Sequence, residues 1–315
     1  MFSFFRTPLL LAAALTTSLA GAASLDFGAS YAPAGGTLLQ DGVFRVGVQD
    51  VQIAGFGLAA GLGTRGLDAA LSRSLVLPGL GVVRVRADGA AQYTGGLRGG
   101  LSLSGTAGPI ALTLTARAWN AGLTRFDPLA RWAELAPDLR DNGAALGVAA
   151  RYRLNREVVL NVAGDLGGQS SLLAQAELRQ EALNYRLGLR AGQGVLGVAA
   201  GVTYTDPDSG LNAALDLLAG PDTLGLSGHL GLDGALGEGS SVRVFAAYEP
   251  WRSTSEVLRY GAQASLVVGT GTLNLEGYGG SRGAGQQGFG LKVRYLLPLE
   301  APERDQGGQE TPAQP

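Results

Sequence analysis

The segment NGAALGVAARYRLNREVVLNVAGDLGGQSSLLAQAELRQEALNYRLGLRAG, residues 142–192, holds four runs of about ten residues in which apolar side chains alternate with polar or charged ones. In the first run Leu146, Val148, Ala150, Tyr152 and Leu154 alternate with Gly147, Ala149, Arg151 and Arg153. In the fourth, Leu183, Tyr185, Leu187 and Leu189 alternate with Asn184, Arg186, Gly188 and Arg190. A period of two puts one set on each face of a strand, and the turn residues between the runs fold the strands into an antiparallel meander. One face is apolar and the other is wet. A soluble sandwich and a membrane barrel both produce that pattern, so the rest of the chain must decide between them.

The alternation extends in both directions. Toward the N-terminus it begins with Leu25, Phe27, Ala29 and Tyr31, pauses in a Pro- and Gly-containing loop at Ala32 to Gly42, and resumes over 43–49, 51–62, 66–77, 80–88, 90–104 and 109–119. Glycine and other small residues blur the period in this half, but 109–119 is clean: Ile110, Leu112, Leu114, Ala116 and Ala118 oppose Thr113, Thr115 and Arg117. Toward the C-terminus, strands are expected at 194–205, 209–219, 223–233, 240–249, 257–268, 270–280 and 286–298. The last sets Phe289, Leu291, Val293, Tyr295 and Leu297 against Lys292 and Arg294. The expectation is an all-β chain folded as one transmembrane antiparallel up-and-down barrel of about 16–18 strands, spanning 24–299.

The flanks read differently. Residues 1–23 have the form of a secretory signal peptide, with Arg6 before the apolar run Leu9 to Leu15 and a small-residue site at Ala20-Gly21-Ala22. Thr16, Thr17 and Ser18 stop that run well short of the roughly 20 residues a spanning helix needs. Residues 300–315 are polar and acidic, rich in Pro, Gly and Gln, and are expected to form a disordered periplasmic tail.

Composition excludes several classes. The chain has no Cys, so an exported fold must be held by backbone pairing and packing alone. Gly supplies 51 of 315 residues, spread through the apparent strands, which argues against helices, where each interior Gly costs about 1 kcal/mol relative to Ala. Setting aside Arg6 and the tail, with Arg304 against Glu300, Glu303, Asp305 and Glu310, leaves equal numbers of acidic and basic residues. A neutral body gives no electrostatic case for nucleic acid.

Charge placement separates barrel from sandwich. A sandwich domain needs about 100 residues and seven to nine strands, whereas this is one undivided meander without a fixed repeat. An Arg on a lipid-facing surface at the bilayer midplane costs roughly 2–4 kcal/mol. In the strands after residue 109 the arginines fall mostly on the polar parity, so that face must line a wetted lumen. The expected pore-lining set is Arg117, Arg151, Arg153, Glu177, Arg179, Arg186, Arg190, His229, Arg243, Arg259, Lys292 and Arg294, with Glu157, Asp165, Asp216, Asp233 and Glu276 as counter-charges.

The longest interruption, Asn120 to Asn142, contains Asp127-Pro128, Leu129, Trp132 and Leu135 before Pro137, a pattern for a short capped helix. Folded inward, its Arg131 and Trp132 would narrow the channel.

The chemical motifs are weak. His229, the only histidine, shares a face with Ser227 and Asp233, but Asp233 lies roughly 13 Å away at strand rise, too far to orient a catalytic imidazole. Gly55-Phe56-Gly57-Leu58-Ala59-Ala60 imitates a dinucleotide fingerprint without its helix or acidic partner, and reads as Gly-rich strand. Asp206-Pro207-Asp208-Ser209-Gly210 carries turn chemistry rather than a complete calcium loop. No catalytic, metal or cofactor site is expected.

The leader, the alternating strands, the long connections after odd-numbered strands and the final strand with Phe289 and Tyr295 together resemble bacterial outer-membrane β-barrels of porin-like size. The resemblance is one of architecture and covers nearly all of the mature chain. It implies residence in the outer membrane of a diderm bacterium, contact with outer-membrane lipid, passage of small hydrophilic solutes, and assembly as a homo-oligomer in the manner of porins. The functional expectation is a water-filled diffusion channel without catalysis. The alternative is a structural or adhesive envelope barrel with a closed lumen.

Overall fold

A computed structural model describes residues 23–33, 41–78, 81–121, 127, 129–134, 142–167, 170–253, 256–282 and 285–299. Residues 1–22 of the expected signal peptide and the acidic tail, 300–315, lie outside the described residues. Eighteen strands run through the described chain: β1 (Ser24–Tyr31), β2 (Gly42–Ile53), β3 (Phe56–Gly63), β4 (Gly66–Leu77), β5 (Gly81–Gln92), β6 (Leu97–Ala107), β7 (Ile110–Asn120), β8 (Asn142–Arg153), β9 (Val158–Leu166), β10 (Ser171–Gln180), β11 (Leu183–Gly192), β12 (Val195–Asp206), β13 (Leu211–Gly220), β14 (Thr223–Asp233), β15 (Ser241–Tyr248), β16 (Leu258–Val268), β17 (Gly271–Ser281) and β18 (Gln287–Pro298).

Each strand pairs antiparallel with its neighbours in sequence, and β1 also pairs with β18, so the sheet closes into an up-and-down barrel. Closure removes the unpaired edges that would template aggregation. Ser24 lies opposite Pro298, which puts the first and last strand ends at the same end of the barrel. That end is joined by short turns such as 54–55, 108–109, 181–182 and 269–270. The opposite end carries the longer connections 32–41, 121–141, 249–257 and 282–286, although 64–65, 193–194 and 221–222 are equally tight there. The first is the turn end of the barrel and the second its loop end.

The early strands differ in detail from the sequence expectation. A bulge in β2 between Val48 and Val51 inserts an unpaired step, with Asp50 at φ 56°, and changes which parity faces outward. The break between β2 and β3 therefore falls at Ala54-Gly55, two positive-φ residues in a hairpin turn, rather than at Asp50. The expected strands 80–88 and 90–104 are 81–92 and 97–107, divided by a turn beginning at Tyr93. The expected helix after Asp127 is a single 3₁₀ turn, Ala130–Trp132; Asp127 accepts a hydrogen bond from the Leu129 amide at 2.9 Å.

The apolar surface is on the outside. Leu112, Leu114, Leu146, Val148, Leu187, Leu189, Leu215 and Leu230 are each at least 40 % exposed, and all lie on the outward parity. Outward aromatics gather near the two ends: Phe27, Phe56, Tyr152, Tyr185, Tyr204 and Tyr295 toward the turn end, and Tyr31, Phe44, Tyr248, Tyr260 and Phe289 toward the loop end. Two such belts match the two interfaces of a bilayer. Arg73 is the one outward-facing arginine on the described strands, and it lies against the Phe56 ring at 4.6 Å near the turn-end rim, where its guanidinium can reach the headgroup level.

Candidate functional site: the lumen and its strap

The pairing register puts the strand-borne arginines of the expected set, Lys292, Glu177 and His229 on one parity, which borders the lumenal cavities, whereas Glu157 lies in the β8–β9 turn outside the register; most of the strand-borne charges are paired. Arg186 donates to Asp216 at 2.8 Å and to Thr203 at 2.5 Å. Glu177 receives Arg179 at 2.7 Å and Arg151 at 3.5 Å. Arg117 lies 3.5 Å from Asp165, Lys292 lies 3.4 Å from Glu276, and Arg294 binds Asp26 at 2.8 Å. Arg190 donates to Ser171 at 3.1 Å and stacks over Trp251 at 5.0 Å. Arg153 and Arg179 stand toward the turn-end mouth, the others deeper. Pairing within a strand and across one or two strands braces the wall while leaving it wettable, although each half-exposed pair contributes only about 0–1 kcal/mol.

The connection between β7 and β8 enters the barrel. Residues 129–134 sit against β15–β18, half the circumference away from the strands that carry them, as a strap seated on the far wall. Leu129 and Trp132 are buried in a cluster with Ala32, Phe245 and Tyr278, and Trp132 Nε1 donates to the Ser281 carbonyl at 3.1 Å. The facing wall is shaved to receive them. A Cβ at Gly288 would collide with the Trp132 ring, and one at Gly290 with Leu129, so only glycine permits the seat. Arg259 of β16, 2 % exposed, fixes the strap end by donating to the Ala133 carbonyl at 2.5 Å and the Glu134 carbonyl at 3.1 Å. Its other guanidinium nitrogen pairs with Glu249.

The sequence reading assigned the narrowing to Arg131 and Trp132, and the structure gives them other places. Trp132 is fully buried as an anchor, and Arg131 lies 3.8 Å from Glu256 in the β15–β16 connection. The strap residue that reaches the larger lumenal cavity is Glu134. Its Oε1, His229 Nδ1 and Arg243 Nη2 lie mutually within 2.8–2.9 Å. His229 is thus a brace for the strap rather than a partner of Asp233.

Two cavities flank the strap. The larger, about 1570 Å³, is lined by Arg117, Arg151, Glu177, Arg186, Arg190, His229, Arg243 and Arg259, with Glu134 from the strap and Glu249, Trp251 and Arg252 from the β15–β16 connection. The smaller, about 350 Å³, is bordered by Asp26, Arg45, Asp68, Arg98, Lys292 and Arg294, with Asp127 from the other side of the strap. Arg252 sits among Arg190, Arg259 and Glu249; burial and the neighbouring guanidinium of Arg259 push it below the ordinary arginine value, and Glu249 opposes that shift.

Sequence reasoning missed Glu134, Glu249, Trp251 and Arg252 because they lie on connections, where no period signals direction. The inner-parity glycines Gly280, Gly288 and Gly290 were a usable signal, since a run of absent side chains on one wall implies something packed there.

Fold and surface together define a transmembrane β-barrel with a charged, water-accessible interior. The sequence matches no protein-family model and no curated protein. Among solved structures it is similar to a mutant of the Rhodopseudomonas blastica porin, with 14% identity and a TM-score of 0.48 over 89% of this chain and 100% of that one. It is also similar to the Pseudomonas aeruginosa outer-membrane protein opdK, with 11% identity and a TM-score of 0.45 over 89% and 98% of the two chains. OccK5 (OpdH) of the same organism gives 10% identity and a TM-score of 0.45 over the same shares. Likeness at this level adds nothing to what the strand register already establishes.

Proposed function

We propose that the protein is an outer-membrane channel through which small hydrophilic solutes diffuse, delivered there by its N-terminal leader and leaving the acidic tail in the periplasm. One observation carries this reading: the barrel is apolar over its outward parity and lined inside by charged groups around cavities large enough for several water molecules or a small solute. Such a wall is stable only with hydrocarbon outside and water inside. Transport then follows from the width left beside the strap and from the charges that border it, with no bond made or broken.

A second reading, a structural envelope barrel with a closed lumen, is favoured by the strap itself, which is fastened to β15–β17, opposite the strands it connects, through Trp132, Glu134 and Arg259. Single-channel recording of the purified, detergent-folded protein in planar bilayers separates the two. Discrete ion-conducting steps are expected for the channel; silence from a preparation that shows heat-modifiable gel mobility would establish the closed barrel.

A further inference from the structure

We propose that the inner wall of β4–β7 is an oxyanion-binding strip centred on Arg84 and Arg86, and that the solutes drawn through the lumen are small oxyanions, phosphorylated or carboxylated. The second half of this rests on the channel reading; the binding does not.

The register builds the strip as two rungs across four strands. In one, Ser72, Arg86, Ser102 and Thr115 lie side by side; in the next, Ser74, Arg84, Ser104 and Thr113 do. Each rung is a guanidinium between hydroxyls. All eight residues are on the inward parity, shared with Asp68 and Arg98 of the smaller cavity and with Thr113 and Arg117 of the larger. Arg84 and Arg86 are two residues apart on one face, roughly 6–7 Å at strand rise, so their forks point the same way.

What distinguishes this pair is the missing counter-charge. Most lumenal arginines on the described strands have a carboxylate: Arg45 and Arg294 share Asp26, Arg151 and Arg179 share Glu177, and Arg186 has Asp216. Arg84 and Arg86 are both exposed to the lumen, and among the described residues neither guanidinium has an ion-pair or hydrogen-bond partner. β6 and β7 contain no acidic residue. Asp88, one rung beyond Arg86 and opposite Gly100, is the only acid on the inner face of β5 and leaves the pair with excess positive charge. Elsewhere the barrel relieves guanidiniums with an acid on the same strand or one or two strands away, as Glu177 does for Arg179 and Arg151 and Asp216 for Arg186; here β3, β6 and β7 offer no acid, the one acid of β4, Asp68, is taken by Arg45, and the residues beside the pair are serine. A hydroxyl does not neutralise a guanidinium, but it donates alongside one. Planar forks with flanking hydroxyl donors suit a group of several anionic oxygens better than a spherical halide.

The test uses the full-length protein in planar bilayers, with the KCl current measured as inorganic phosphate, and separately succinate, is added at constant ionic strength. Block by either oxyanion is expected, and it identifies which chemistry the strip prefers. In a variant carrying Arg84→Ser and Arg86→Ser the half-blocking concentration should rise roughly tenfold or more, the loss that accompanies removal of charge-assisted hydrogen bonds. Arg84→Lys with Arg86→Lys, which keeps the charge and loses the forks, should fall between. A conducting protein whose oxyanion block is the same with and without the two arginines overturns the strip and leaves the channel standing. If no current is seen, the channel reading falls, and the strip is decided by whether phosphate raises the temperature of the gel-mobility transition in the parent protein and not in the Ser variant. Equal shifts in both would overturn it.

Discussion

Asp26 on the first strand accepts two hydrogen bonds from Arg294 on the last, from Nε at 2.8 Å and from Nη2 at 3.1 Å. The same carboxylate takes Arg45 of β2 and, at 2.9 Å, the Gln49 amide. Arg45 in turn forks onto Asp68 of β4 at 2.8 and 2.7 Å. The side chain of Asp26, 1 % exposed, therefore ties together the strands on either side of the point where the ring closes. Backbone pairing closes the barrel; this carboxylate fixes the seam.

Replacing Asp26 with Ala should destabilise the barrel by about 1–3 kcal/mol, between the cost of breaking an exposed pair and that of orphaning a buried one, because Arg45 keeps Asp68 and the stranded Arg294 is partly wet and can turn toward water. Arg294→Ala should cost less, since Asp26 keeps Arg45. The urea midpoint for loss of the compact gel species measures both, and an Asp26→Ala midpoint unchanged from the parent would remove the seam from the account.

The strap can be unseated from either side. Trp132→Ala removes its anchor, at a cost to docking of about 3–5 kcal/mol, and Gly288→Leu fills the seat without touching the strap. Both variants should show larger or noisier conductance with the barrel's gel mobility intact. If only Trp132→Ala has that effect, the seat on β18 is not what holds the segment.

Much of this was legible beforehand, and the divide is physical. Wherever a strand alternates, as at Leu146 to Leu154 or Ile110 to Ala118, side-chain direction follows from the pleat, so the inner position of Arg117, Arg151 and Arg186 could be read directly. Where the pleat is interrupted the reading slipped, as at the Asp50 bulge, which was mistaken for a strand boundary. The strap was recognised as an insertion, but not which of its residues meets water: burial of Trp132 depends on Gly288 and Gly290, more than 150 positions later in the chain. Local pattern carries no information about a contact of that span.

Glu134 is the strap's one contact with both His229 and Arg243, and removing its charge should change what the lumen admits. Glu134→Gln keeps the shape and one hydrogen bond while leaving Arg243 uncompensated. Reversal potentials under a KCl gradient should move toward anion preference, and the shift should be larger at 0.1 M than at 1 M salt, where the screening length falls from about 10 to 3 Å. A reversal potential that stays put would mean permeating ions do not pass the strap's inner end.

The assignment of outside and inside rests on adjacent residues of one strand, and β7 offers the sharpest comparison. Leu114, 40 % exposed, points outward near the middle of the strand, and Thr115 beside it points into the lumen on the same rung as Ser102 and Gly147. An arginine at Leu114 would face hydrocarbon at mid-height and should cost roughly 2–4 kcal/mol in stability. One at Thr115 would enter a wet cavity that contains Asp165, the residue opposite Gly147, and should cost well under 1 kcal/mol. Folding titrations of the two variants into the same lipid vesicles give the difference directly, and backbone propensity cancels because the positions are neighbours in one strand. Equal penalties would mean that the outer face does not meet lipid; a large penalty at Thr115 alone would turn the barrel inside out.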